Sequence, residues 1–228
     1  REIRLQEQVR ECDFTGQNPD EPVRGFPLRW GPVVRYRDLE RMARFEPDFF
    51  EFHLTDTDLD AGVPEGLPVR SQELVIHAPE YYHGRLIDFA ACDMDTIRYS
   101  SDVLLKVIET ARNLHQYFPG TGERVRIVVH PGGMTYDAEP EMREAMIARL
   151  CETLPLLLTE PGVELMIENM PPYPWYFGGQ WYHNAFMDAQ DLVEVAQNTG
   201  CSLCLDISHA ALYCTWAKVP LTDLVAQL

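Results

Sequence analysis

Hydrophobic residues in this chain gather into short runs, and helix-patterned stretches lie between them. "DFFEFHL" (48–54) and "ELVIHAP" (73–79) read as strands, the second stopped by Pro79. "RVRIVVHPGG" (124–133), "GVELMIENMPP" (162–172) and "CSLCLDISH" (201–209) read the same way. "LRWGPVVRY" (28–36) adds a strand interrupted by Pro32, for six in all. Elsewhere the apolar positions recur at helical spacing. "RDLERMARF" (37–45) sets Leu39, Met42 and Phe45 on one side of a helix. "SSDVLLKVIETARNLHQYF" (100–118) is a helix with a serine cap ahead of Asp102. "EPEMREAMIARLCETLPLLL" (139–158) carries Pro140 in its first turn, and "DAQDLVEVAQNTG" (188–200) closes on Gly200. "LTDLVAQL" begins a further helix, and the stretch after Leu54, rich in Asp, Gly and Pro, reads as a loop.

Strands alternate with helices, and several strands are continuous apolar runs. That pattern predicts parallel strands covered on their faces, an α/β architecture. Residues 28–228 form its domain, and the polar residues 1–27, with "TGQNPDEP", read as a linker or N-terminal extension.

Composition narrows the class. The chain has 228 residues, 46% hydrophobic and 24% charged, enough to bury a core and too apolar for disorder. No apolar run reaches the roughly 18 residues of a membrane span. The net charge is −17, and the 19 Lys and Arg are scattered rather than grooved, which favours a small-molecule partner over nucleic acid. The six cysteines sit mostly in apolar patterns, as expected of a reduced, cytoplasmic protein. Cys201 and Cys204 have CxxC spacing but lie in an extended stretch, where residues three apart face opposite sides, so they read as packing residues.

The polar residues at the strand ends carry the chemistry. They are His77, then His130, then Glu168 and Asn169, then Asp206 and His209; the second strand offers His53. Parallel strands aim their C-terminal ends at one face, where ligand sites form. Glu168 and Asp206 would repel one another there unless a divalent cation lay between them, and carboxylate with imidazole suits Mn, Zn or Co, or Mg if oxygens dominate. The expected metal ligands are Glu168, Asp206, His209 and His130; His77 and Asn169 are expected to touch substrate. Taken singly, His53 and His115 read as structural histidines. The loop "PPYPWYFGGQWYHNAFMD" (171–188) is either a wall that stacks on a sugar or a self-packed surface loop. Within it, Trp175 and His183 are further substrate-binding candidates. "HPGGMT" makes no convincing phosphate loop.

The strand ends "IHAP", "VVHPGG", "IENMPP" and "LDISH" together resemble the xylose-isomerase-like TIM barrels, over roughly residues 28–228. The superfamily includes sugar isomerases, sugar-phosphate isomerases and epimerases, and the endonuclease IV group. "FFEFHLTDTDLD" and "PPYPWYFGGQWYHNAF" further resemble the isomerase-like barrel attached to sialic-acid-synthase-like proteins. The resemblance implies a TIM-type (β/α)8 barrel, here truncated to about six strands, with the last two strands and their ligands expected in a longer chain or a partner. It implies that Glu168 and Asp206 are metal carboxylates. In the epimerase branch Glu168 would be the catalytic acid/base; in the endonuclease branch His77, His130, Glu168, Asp206 and His209 would all hold zinc. Expected partners are a carbohydrate substrate and a second copy or a synthase domain. The leading expectation is a metal-dependent isomerase or epimerase, against a non-catalytic binding or assembly module and a zinc phosphodiesterase.

Overall fold

Alternate residues of each strand meet two different environments, and the molecule is built on that alternation. The structure, a computed structural model, describes residues 28–228, so the expected extension 1–27 lies outside the described residues. Six strands form one sheet: β1 (Val33–Val34), β2 (Phe49–His53), β3 (Glu73–His77), β4 (Val125–Val129), β5 (Val163–Glu168) and β6 (Ser202–Cys204). They pair in sequence order, every pair parallel. The helices of the described residues are α1 (Leu39–Ala43), α2 (Asp56–Ala61), α3 (Met94–His115), α4 (Arg143–Leu158), α5 (Ala189–Thr199), α6 (Ile207–Ala217) and α7 (Leu221–Val225). This is a TIM-barrel-like sheet of strand–helix units. Among the described residues β1 and β6 do not pair, so the barrel is not closed.

One face of the strands presents Phe50, Phe52, Leu74, Ile76, Ile127, Val129, Leu165 and Ile167, each at most 2% exposed. They share a core with Val103, Leu104, Val107 and Ile108 of α3 and with Leu150 and Leu154 of α4. Each such side chain contributes roughly 1.5–3 kcal/mol by leaving water. The opposite face is mixed: it carries Glu51, Glu73, Arg126 and Glu164 together with the buried Val75 and Val128. Arg126 pairs with Glu73 at 2.7 Å and Arg29 with the same carboxylate at 2.8 Å. Those pairs sit near the N-terminal end of the sheet, while the imidazoles end the same face at the other.

Several local expectations need correction. The stretch after Leu54 is not all loop: the Thr55 hydroxyl accepts from Asp58 N–H, the Asp58 carboxylate accepts from Thr55 N–H, and this reciprocal cap starts α2. Helix α3 begins at Met94, capped by Asp93, which accepts Thr96 N–H at 2.8 Å. Ser101 is therefore inside the helix and donates to the Ile97 carbonyl. Helix α1 ends at Ala43, which leaves Phe45 38% exposed rather than on the buried side. Strand β6 stops at Cys204, and His209 lies in the first turn of α6.

The loop after β4 is held by a buried acid rather than shaped for phosphate. Asp88, 6% exposed, accepts N–H groups from Ala90 and Gly133 at 2.9 Å and from Met134 at 3.3 Å. Gly132 has φ +91°, and a Cβ there would stand 2.0 Å from Asp88 Oδ1. Both Gly132→Ala and Asp88→Ala are expected to destabilise the fold by about 2–4 kcal/mol, one by clash and strain, the other by orphaning buried N–H groups. Urea unfolding monitored by tryptophan fluorescence measures both.

Candidate metal centre

Register brings the imidazoles together. His53 lies directly beside His77 in the β2–β3 pairing, and their rings are 4.3 Å apart. His130 follows β4 by one residue, and its ring stands 5.1 Å from that of His77 and 6.0 Å from that of His209. Glu168, the last residue of β5, reaches into this row. Its Oε2 lies 3.0 Å from Nε2 of His77 and 3.0 Å from Nε2 of His130. Its Oε1 lies 3.5 Å from Nδ1 of His209. Glu168 is 4% exposed. Of the expected ligands, Glu168, Asp206, His209 and His130 thus meet at one mouth, and His77 joins them.

Asp206 is positioned by secondary structure and by its neighbour. It is the N-cap of α6, where one carboxylate oxygen accepts His209 N–H at 2.8 Å. The Asp-x-x-His spacing is therefore that of a cap and its third helical residue. Asn169 holds both ends of the arrangement. Its side-chain oxygen accepts Asp206 N–H at 2.7 Å, its amide donates to the Asp206 carbonyl at 2.9 Å, and its own carbonyl accepts from His209 Nδ1 at 2.9 Å. Expected to touch substrate, Asn169 is fully buried with its side chain spent on Asp206, so it is a positioning residue.

The donor chemistry fits a cation. His77 Nδ1 donates to the Ala78 carbonyl at 2.8 Å, so its Nε2 faces Glu168 with a lone pair unless a second proton is bound. His209 donates its Nδ1 proton to Asn169 and is left with a lone pair on Nε2. Histidine ligands of metals commonly donate the other ring nitrogen in this way. Burial alone would raise the pKa of Glu168, but hydrogen bonds and charge from His130 and His77 carry it well below the usual carboxylate range. Burial opposes the charged form of His77, and Glu168 more than offsets it, so the His77 pKa rises. Among the described residues three sets have ligand atoms within 4.8 Å of one another: His77, His130 and Glu168; Glu168, Asp206 and His209; and His53, His77 and Glu80. No cysteine is among them.

Two participants were missed in the sequence. Glu80, in the loop after β3, lies 3.2 Å from His53 Nε2 and gives that histidine a partner. The signal was the acid immediately after Pro79. Tyr176 is raised in pKa mainly by burial and then by the charges of Glu80 and Glu168.

The aromatic loop is partly self-packed. Tyr136 stacks edge-on to Trp181 at 5.0 Å, Tyr173 to Tyr182 at 5.7 Å, and Phe177 to Tyr81 at 5.4 Å. A ribbon pairs Tyr182–His183 with Met134–Thr135, tying this loop to the one after β4. Trp175 stands 68% exposed on a second ribbon, while His183 is 4% exposed. A cavity of about 470 Å³ opens between these loops, lined among others by Arg85, Asp93, Thr135, Phe177 and Trp181 but by none of the clustered imidazoles.

Strand–helix units with acids and imidazoles gathered at the strand ends define the class, a TIM-barrel-like fold with its polar cluster at one mouth. The sequence profile of the xylose isomerase-like TIM barrel family matches residues 40–227, and the chain belongs to that family. Its structure is similar to the crystal structure of endonuclease IV from Thermus thermophilus, at 17% identity over 87% of this chain and 70% of that one, with a TM-score of 0.48. Comparison with proteins of curated function finds no match. Neither finding extends to the narrower likeness to a barrel beside sialic acid synthases. No helix among the described residues is long and apolar enough to cross a membrane.

The Glu80–His53 pair makes a pH prediction. Burial pushes Glu80 up, but His53 and His130 outweigh it and hold the carboxyl at about 2, below its ordinary 4.5. A depressed carboxyl stabilises the fold fully above the ordinary value, and the contribution is lost as pH falls toward the folded one. In metal-free protein, wild type should exceed Glu80→Gln by about 1–3 kcal/mol above roughly pH 5, with the difference closing toward roughly pH 2. Urea midpoints across that range test it.

Proposed function

We propose that this chain is a metal-dependent isomerase or epimerase acting on a sugar, sugar acid or sugar phosphate. Glu168, Asp206, His209 and His130 would hold a divalent cation of the Mn, Zn, Co or Mg class. The observation that carries the proposal is the Glu168 carboxylate, buried and met by the Nε2 atoms of His77 and His130 at 3.0 Å each. A carboxylate so placed stays ionised, and an ionised acid among imidazoles anchors a cation. When bound, the cation supplies polarisation of the substrate carbonyl and its neighbouring hydroxyl. Glu168 removes the proton beside that carbonyl. His77 and His183 contact substrate from the same mouth, and exposed Trp175 offers a face on which a sugar ring can stack. The net charge of −17 supports a small substrate rather than a polyanion.

A second proposal, a zinc-dependent phosphodiesterase, is favoured by one observation: three imidazoles, from His77, His130 and His209, surround Glu168. A non-catalytic module is the third.

In heavy water, wild-type protein loaded with Mn²⁺ should exchange the carbon-bound proton beside the carbonyl of one sugar in a panel of aldoses, ketoses, sugar acids and their phosphates. Glu168→Gln should lower that exchange at least about 100-fold; unchanged exchange by the variant removes Glu168 from the chemistry. Zn²⁺-loaded protein that cleaves abasic DNA and exchanges no sugar proton would install the phosphodiesterase instead. Elemental analysis that finds no stoichiometric metal would leave the non-catalytic module.

A further inference from the structure

The C-terminal ends of β2 and β3 carry a second cluster of ligating side chains. Strand pairing sets His53 beside His77, and Leu54 N–H donates to the His77 carbonyl at 3.1 Å, so the two rings are held 4.3 Å apart. Glu80 follows in the next loop and is fixed from its own side. Ile87 N–H donates to the Glu80 carbonyl at 3.0 Å, and Tyr81–Tyr82 pairs with Arg85–Leu86 in a hairpin. Glu80 Oε1 lies 3.2 Å from His53 Nε2. His53, His77 and Glu80 offer ligand atoms that all lie within 4.8 Å of one another. The cation proposed above, on Glu168, Asp206, His209 and His130, takes none of the three.

We propose that His53, His77 and Glu80 bind a second divalent cation, of the Zn²⁺ or Co²⁺ class. The inference rests on the cation reading above only in that the first site leaves His77 available. The spacing is that of ligands. Two donors of a tetrahedral Zn²⁺, each about 2.0–2.1 Å from the metal, stand about 3.3 Å apart. His53 Nε2 and Glu80 Oε1 stand 3.2 Å apart. The donor types agree as well. Two imidazoles and one carboxylate make a three-ligand set whose fourth position is left to water or substrate. Here that position can open to the mouth, since the side chains of His53 and Glu80 are 26% and 23% exposed. A plain ion pair accounts for the cluster less well. A proton on His53 would satisfy Glu80, but one on His77 would be needed to satisfy Glu168, and the two charged rings would then lie 4.3 Å apart. One cation replaces both protons, because imidazole ligates in its neutral form. The two nitrogens favour Zn²⁺ or Co²⁺ over Mg²⁺. His77 would then meet substrate through the cation it holds.

The test uses the full chain, stripped by chelator and titrated with Co²⁺, with uptake read by equilibrium dialysis and visible absorption. Wild type should take up two equivalents. His53→Phe, which keeps the ring volume, and Glu80→Gln, which keeps the side-chain shape, should each bind the second Co²⁺ at least about 10-fold more weakly and retain the first. His115→Asn, on α3 and away from the mouth, should match wild type. Two equivalents bound with wild-type affinity by both variants overturn the inference. So does a single equivalent that both variants retain and Glu168→Gln loses, a result that upholds the first cation alone. A single equivalent that both variants lose and Glu168→Gln retains upholds the second site and removes the first. Wild-type protein that binds no Co²⁺ overturns both. Where neither variant folds, wild-type protein with ¹⁵N-labelled imidazoles decides: the Nε2 resonance of His53 should shift on adding Zn²⁺, and an unmoved resonance refutes the assignment.

Discussion

A carboxylate almost wholly out of water must be compensated, and Glu168 is compensated by imidazoles. Isolated, an ionised group at 4% exposure would take up a proton to escape the desolvation cost. Here His77 and His130 each present Nε2 to one of its oxygens at 3.0 Å, and the acid stays charged. The constraint reaches outward. The two histidines can meet the same atom only if β3, β4 and β5 run parallel and end level, and the parallel pairing of these strands is what the sheet shows. It reaches further through Asn169, the residue after Glu168, which fixes Asp206 and through it the first turn of α6.

Around this centre most buried polar side chains work as clasps rather than as chemistry. Asp88 gathers the backbone of the loop after β4. Asn184 donates to Thr135 and accepts from Glu139, closing the aromatic loop on the same segment. Asn169 does likewise for β5 and α6. These residues have the composition of a binding site, and each has its polar atoms spent on backbone or on a neighbour. His183 differs in keeping one ring nitrogen, Nε2, without a hydrogen-bond partner.

Much was legible before any coordinates. Apolar runs bounded by Pro and Gly located the strands, because a strand buried on its helix-facing side must be apolar there whatever its partners. The ends of those runs located His77, His130 and Glu168, since parallel strands share one C-terminal face. Gly200 marked the C-terminal end of α5, because a left-handed residue closes a helix. The Thr55–Asp58 cap was equally local, yet the Asp, Gly and Pro nearby masked it.

What the sequence by itself determined, then, was the order of strands and helices and the set of strand-end groups, for these follow from periodicity and chain direction. Tertiary structure alone decided which groups meet. It put Glu80 against His53 across 27 residues and set Asn169 to hold Asp206 rather than a substrate. It also left His183 with a buried lone pair. The physical reason is that the partner of a buried polar atom depends on register and loop closure, which join residues far apart in the chain and leave no mark on the local pattern of either.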